Sequence, residues 1–112
     1  MKTLFSLCLM IMSFTALGQK AEKQTITIQT SAECNECKER LEGKLNYTKG
    51  ISFAELDVPT KVCTVKYSPD KISKEKVLKI ISDLGYDADD VKADPKAYEA
   101  LPTCCKVGGG EH

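Results

Sequence analysis

Gln24 to Thr30 alternates, with Ile26 and Ile28 on one face and Thr25, Thr27 and Gln29 on the other. A period of two predicts a half-buried strand. From Asn35 to about Tyr47 the apolar side chains change step: Cys37, Leu41 and Leu45 recur every four residues, while Lys38, Glu39, Glu42 and Lys44 face water. That spacing predicts an amphipathic helix, and Asn46 and Gly50 supply the turn after it. Two alternating runs follow, with Ala54, Leu56 and Val58 on one face of 51–58 and Cys63, Val65 and Tyr67 on one face of 62–67. Only Pro59, Thr60 and Lys61 separate them, so they should pair as an antiparallel hairpin.

Ser68-Pro69-Asp70 breaks the sheet, and Ser73 then caps a second helix to Leu84 with the stripe Val77, Ile80, Ile81 and Leu84. Ile72 is placed to staple against Val77, and Gly85 can close the helix in a left-handed conformation. Asp87 to Ala93 carries only Ala88, Val91 and Ala93 as apolar residues and is expected to be a weak edge strand. Asp94-Pro95 opens a short helix to Leu101, after which Pro102 leads to Cys104-Cys105 and a glycine-rich tail.

The order β-α-β-β-α-β over about seventy residues is a split βαβ arrangement. The expected fold is therefore α+β and ferredoxin-like: a four-stranded antiparallel sheet in order 4-1-3-2, both helices on one face, and a short C-terminal helical extension.

The residues before the first strand have a different character. Lys2 precedes an apolar run from Leu4 to Phe14, and Ala16-Leu17-Gly18 ends it with small residues, as in a secretory signal peptide. The run is shorter than the about 20 residues that span a bilayer, so the mature chain is not expected to be membrane-embedded. The expected divisions are 1–18 as signal peptide, 19–93 as the folded domain and 94–112 as the extension. The destination is secreted, or periplasmic if the source is a Gram-negative bacterium.

Sixteen basic residues balance sixteen acidic ones in the 112-residue chain, and Arg40 is the sole arginine. No basic excess exists to hold nucleic acid or an anionic membrane. One guanidinium suits bidentate phosphate recognition poorly, which argues against an acylphosphatase use of this fold. A chain this small buries too little surface to enclose a long catalytic cleft. Six cysteines beside a single histidine are the chemical signal. Cys8 lies in the signal peptide, leaving five, and an odd number cannot form a closed set of internal disulfides.

Cys34-Asn35-Glu36-Cys37 falls where the first strand hands over to the first helix. Thiols at i and i+3 across that junction can converge on one ion, and the helix dipole favours a thiolate at Cys37. Two soft sulfurs suit Cu(I) or Hg(II), and less specifically Zn(II). The same spacing also serves a structural disulfide or a redox dithiol. A thioredoxin-like chain would continue with another βα unit and a proline facing the dithiol; here a hairpin follows, and neither Pro59 nor Pro69 fits.

The stretch from Thr25 to Ala93 resembles the heavy-metal-associated domain family, which includes copper chaperones, copper-ATPase amino-terminal domains and the periplasmic mercury-binding protein. The resemblance rests on Cys34 and Cys37, Leu41-Glu42 and Leu45, Lys49-Gly50-Ile51, Val65-Lys66-Tyr67-Ser68-Pro69, and Leu84-Gly85-Tyr86-Asp87-Ala88. It implies that Cys34 and Cys37 bind the metal and that Tyr86 packs beside them. Ser31-Ala32-Glu33 stands where the family usually has Gly-Met-Thr. Ala32 replaces a core-plugging methionine, so a looser loop is expected, and Glu33 adds a carboxylate near the thiols.

Cys63 reads as a small core residue. Strand four should leave residue 94 at the far end of the sheet, about 17–20 Å from the Cys34 loop. A short helix and three extended residues return roughly 20 Å. Cys104 and Cys105 are thereby candidate extra ligands or thiol exchange partners. His112, after three glycines, reads as solvated tail.

The expected function is an exported metal carrier, not an enzyme, that captures Cu(I) or a similar ion and passes it to a metal-transporting membrane protein or another cysteine-bearing carrier. No general base accompanies the thiols. The alternative is thiol–disulfide exchange through Cys34/Cys37 and Cys104/Cys105.

Overall fold

A computed structural model describes residues 22–107. The proposed signal peptide, Cys8 and His112 lie outside them. Three strands, β1 (Gln24–Gln29), β2 (Ile51–Asp57) and β3 (Val62–Tyr67), form one antiparallel sheet in the order β1-β3-β2. Helices α1 (Asn35–Leu45) and α2 (Lys74–Asp83) connect and follow them. A third helix, α3 (Pro95–Ala100), and a 3-10 turn at Thr103–Cys105 form the extension.

Alternation along the strands buries one sheet face. Ile28, Ala54, Leu56, Cys63, Val65 and Tyr67 join Leu41 and Leu45 of α1 and Val77, Ile80 and Ile81 of α2 in a single core. The expected hairpin pairs Leu56 with Cys63 and Ala54 with Val65. β2 lies at the sheet edge, and α1 covers part of its exposed backbone. Glu42 accepts the Leu56 N–H at 2.8 Å, and the Asn46 side-chain amide exchanges two hydrogen bonds with Ala54 at 2.9 and 3.0 Å. Such cover blunts the pairing tendency of an open edge.

The fourth strand does not form. Residues 87–93 make only isolated bridges, Thr30 with Ala88 and Ala88 with Val91. The aspartates explain this. Asp89 adopts φ 50 and its carboxylate accepts the Gln29 N–H at 2.9 Å, while Asp87 accepts the Ala93 N–H at 2.9 Å. Side-chain acceptors thus take up N–H groups that a ladder would use, and the chain turns instead.

The expected route of the extension changes accordingly. Without a fourth strand the chain never travels to the far end of the sheet. The Asp94 N–H donates to the Ser82 carbonyl at 2.9 Å, and Ser82 Oγ donates to the Lys92 carbonyl at 2.6 Å, which keeps residue 94 at the C-terminal end of α2. Asp94 then caps α3 by accepting from the Ala97 N–H at 3.0 Å. Gly85, at φ +104, lets α3 approach: a Cβ there would meet the Ala97 backbone at 3.0 Å.

Cys63 is fully buried, as expected. Burial, with Glu42 nearby, pushes its thiol up to about 12 from an ordinary 9.0. The unfolded chain ionises first, so this contribution is whole below pH 9 and is lost as pH rises toward 12. The loss amounts to about 1 kcal/mol per pH unit in that window. Alkaline denaturation of Cys63→Ala beside the parent chain checks it: the variant should lose stability less steeply above pH 9. Equal slopes would contradict the assignment.

Candidate metal centre

The loop between β1 and α1 delivers Cys34 and Cys37 to one place. Cys34 is the N-cap of α1, and its Sγ accepts the Cys37 N–H at 3.4 Å. Cys37 occupies the first turn with its side chain on the buried face, continuous with Leu41 and Leu45. The two sulfurs are 3.0 Å apart. The positive end of the helix lies at this pair, an environment that suits anionic sulfur.

The loop is not loose, despite Ala32. That residue is fully buried, and its N–H donates to Thr30 Oγ1 at 3.2 Å. Ser31 Oγ accepts the Asp87 N–H at 2.9 Å, tying the loop to the segment after α2, and Glu33 pairs with Lys61 at 3.2 Å. Local polar side chains thus anchor the backbone where the family usually has a methionine plug.

The extension reaches the pair. Cys105, about 1% exposed, lies with its sulfur 3.6 Å from that of Cys34. The sulfurs of Cys34, Cys104 and Cys105 all fall within 4.8 Å of one another. Tyr98 secures the segment by accepting the Val107 N–H at 3.2 Å, and Leu101 is buried in the core. All five cysteines among the described residues are free thiols.

Tyr86 is fully buried, with the thiols of Cys37 and Cys105 influencing its ionisation. Its hydroxyl has no hydrogen-bond partner among the described residues. Burial and the neighbouring thiols raise it well above the usual phenol range.

Two residues not read from the sequence as part of the site shape the electrostatics. Glu36 accepts from the Cys104 thiol at 3.1 Å and lies 3.9 Å from the Cys105 sulfur. Arg40, one turn beyond Cys37, sits near Cys105 and Tyr86. Partial desolvation opposes its charge, but those two neighbours favour it and the net shift is upward. The i+3 spacing from Cys37 was the available signal for Arg40. For Glu36 there was none, since its partners are 68 and 69 residues away.

The sulfurs differ in proton affinity. Burial would raise Cys37, but the neighbouring side chains of Cys34, Tyr86 and Cys105 outweigh it and lower the thiol overall. The Glu36 carboxylate pushes Cys104 up to about 11, and burial pushes Cys105 up further. The cluster therefore holds Cys37 poised toward thiolate beside Cys104 and Cys105, which are held toward the thiol form. Cys34, half-buried, leaves the pair open to an incoming ion.

Comparison with known proteins agrees with this geometry. The sequence profile of the heavy-metal-associated domain matches residues 22–87. The chain is 32% identical over 69 residues to copper-transporting ATPase 2 of Homo sapiens, covering 62% of this chain and 5% of that protein. It is 35% identical over 69 residues to a zinc-transporting ATPase of Synechocystis, covering 62% of this chain and 9% of that protein. The chain thus spans less than a tenth of these relatives' length. Among solved structures, the CopZ metallochaperone superposes with TM-score 0.56 at 24% identity, over 58% of this chain and 98% of its own. Oxidized MerP from Ralstonia metallidurans superposes with TM-score 0.58 at 23% identity, over 61% and 96%. These two likenesses establish the fold: α+β, with helices packed on a sheet. Because the matched profile spans more than half of the sequence, the chain belongs to the heavy-metal-associated domain family.

Proposed function

We propose that this protein is an exported carrier that captures Cu(I) on Cys34 and Cys37 and hands it on by stepwise thiolate exchange. The observation that carries the reading is the pair of sulfurs 3.0 Å apart at the N-terminus of α1, in a chain of this family. Soft thiolates favour Cu(I), with Hg(II) and Zn(II) as weaker candidates. The names of the relatives support copper first and zinc second.

Capture uses Cys37, whose thiol is lowered below its ordinary value, together with the more accessible Cys34. Transfer is a sequence of single-sulfur exchanges: an incoming cysteine binds the ion before each departing one lets go, so no bare ion is released. The partner this suits is a metal-transporting membrane protein or another carrier with a matching pair of cysteines. Export rests on the segment 1–18 and is part of the proposal; among the described residues, no helix is long and apolar enough to cross a membrane. The periplasm is the destination if the source is Gram-negative.

Mixing the Cu(I)-loaded protein anaerobically with a metal-free amino-terminal domain of a copper-exporting ATPase tests the shuttle. After separation, copper should be found on both proteins within seconds of mixing. Copper that stays wholly on the loaded chain for hours would overturn transfer as the function.

A further inference from the structure

The extension brings a sulfur into the metal loop that the two-cysteine motif does not include. Cys105 is held there by an independent set of contacts: the Asp94 cap of α3, the buried Leu101 and the Tyr98–Val107 hydrogen bond. Its sulfur lies 3.6 Å from that of Cys34, which in turn is 3.0 Å from that of Cys37. A thiol with about 1% exposure, pressed against two others, gains little as a free cysteine.

A second observation points the same way. The Tyr86 hydroxyl is fully buried and makes no hydrogen bond, with Cys37 and Cys105 as its neighbours. A buried donor left unpaired is unfavourable. It becomes satisfied when the sulfurs before it turn from thiols, which are poor acceptors, into metal-bound thiolates. The whole constellation is built for an ion surrounded by more than two sulfurs.

We propose that Cys105 is a third ligand, completing a three-sulfur site with Cys34 and Cys37. Resting on the reading that those two hold the ion, this specifies a soft cation able to take three thiolates, as Cu(I) can. Binding involves no change of oxidation state: each thiol that ligates gives its proton to solvent and its lone pair to the ion. Cys104, although its sulfur lies within 4.8 Å of those of Cys34 and Cys105, is more exposed and hydrogen-bonded to Glu36, and stays outside the three. Cys105 occupies a place that a partner's first cysteine would otherwise take, so α3 and its turn must yield a ligand before transfer completes.

X-ray absorption at the copper edge of the full mature chain, loaded anaerobically with one equivalent of Cu(I), counts the sulfurs without any substitution. Three sulfur neighbours are expected in the parent chain, two in Cys105→Ser and three in Cys104→Ser. Cys105→Ser should also weaken Cu(I) binding by at least the about 10–100-fold that altering a metal's surroundings costs. Two sulfurs in the parent chain, or a loss of one in Cys104→Ser and not in Cys105→Ser, would overturn the proposal while leaving the Cys34/Cys37 reading intact. Undiminished copper binding by Cys34→Ser/Cys37→Ser would instead overturn that underlying reading.

Discussion

Replacing Cys34 and Cys37 together by serine is expected to abolish one-to-one Cu(I) binding, with affinity falling by more than about 1000-fold, or about 4 kcal/mol. The change substitutes hard, protonated hydroxyls for soft sulfur at nearly constant shape, so the loss reports ligation. Folding should survive, for a reason visible at each position. Cys34 serves as N-cap through a sulfur acceptor at 3.4 Å, and serine is among the better N-cap residues. At Cys37, fully buried, a hydroxyl costs about 1–3 kcal/mol if it finds no partner, less than most domains have in reserve. Anaerobic titration against a Cu(I) chelator, with circular dichroism on the same samples, separates the two effects. Retained binding in a folded double variant would place the ion elsewhere.

The second large effect is at Tyr86. Truncation to alanine empties the space of a fully buried ring beneath the sulfurs, and should destabilise the protein by about 3–5 kcal/mol. Tyr86→Phe separates ring from hydroxyl. Because that hydroxyl lacks a hydrogen-bond partner, its removal should leave the metal-free protein as stable or about 1 kcal/mol more so. In a domain of this size that corresponds to an increase of about 4–8 °C in Tm. With Cu(I) bound the sign should reverse, since the parent chain then has a thiolate for the hydroxyl to meet. Thermal melts of both chains, with and without one equivalent of Cu(I), give the comparison. A Tyr86→Phe chain less stable than the parent without metal would contradict the role assigned to the hydroxyl.

Much of this was legible in the sequence because it is periodic. Ile26 and Ile28, the four-residue step from Cys37 to Leu45, and the stripe from Val77 to Ile81 each announce an element whose buried face is local. Ser73 accepts the Lys76 N–H at 3.1 Å, as its position predicted. The 87–93 segment departs from the strand its pattern predicts because its aspartates act through side-chain hydrogen bonds to Gln29 and Ala93, which pattern alone does not report.

The approach of Cys105 to the loop was anticipated from a path that the chain does not take. The expected route crossed the sheet and came back, whereas the actual chain stays near the end of α2 throughout. Ala32 misled in a similar way: the missing methionine suggested slack, but Thr30 and Ser31 fasten the loop with hydroxyls. Glu36 was invisible because its solvent-facing place on α1 acquires meaning only once the extension folds over it.

The central claim is that these thiols exist to hold a metal rather than to exchange disulfides. Purification of the mature chain under anaerobic conditions, followed by Cu(I) addition, metal analysis and thiol counting, tests it most directly. The account predicts one copper per chain, with Cys34, Cys37 and Cys105 protected from alkylation by the ion and Cys104 reactive. A chain that takes up no copper and reduces insulin disulfides catalytically without metal would contradict it.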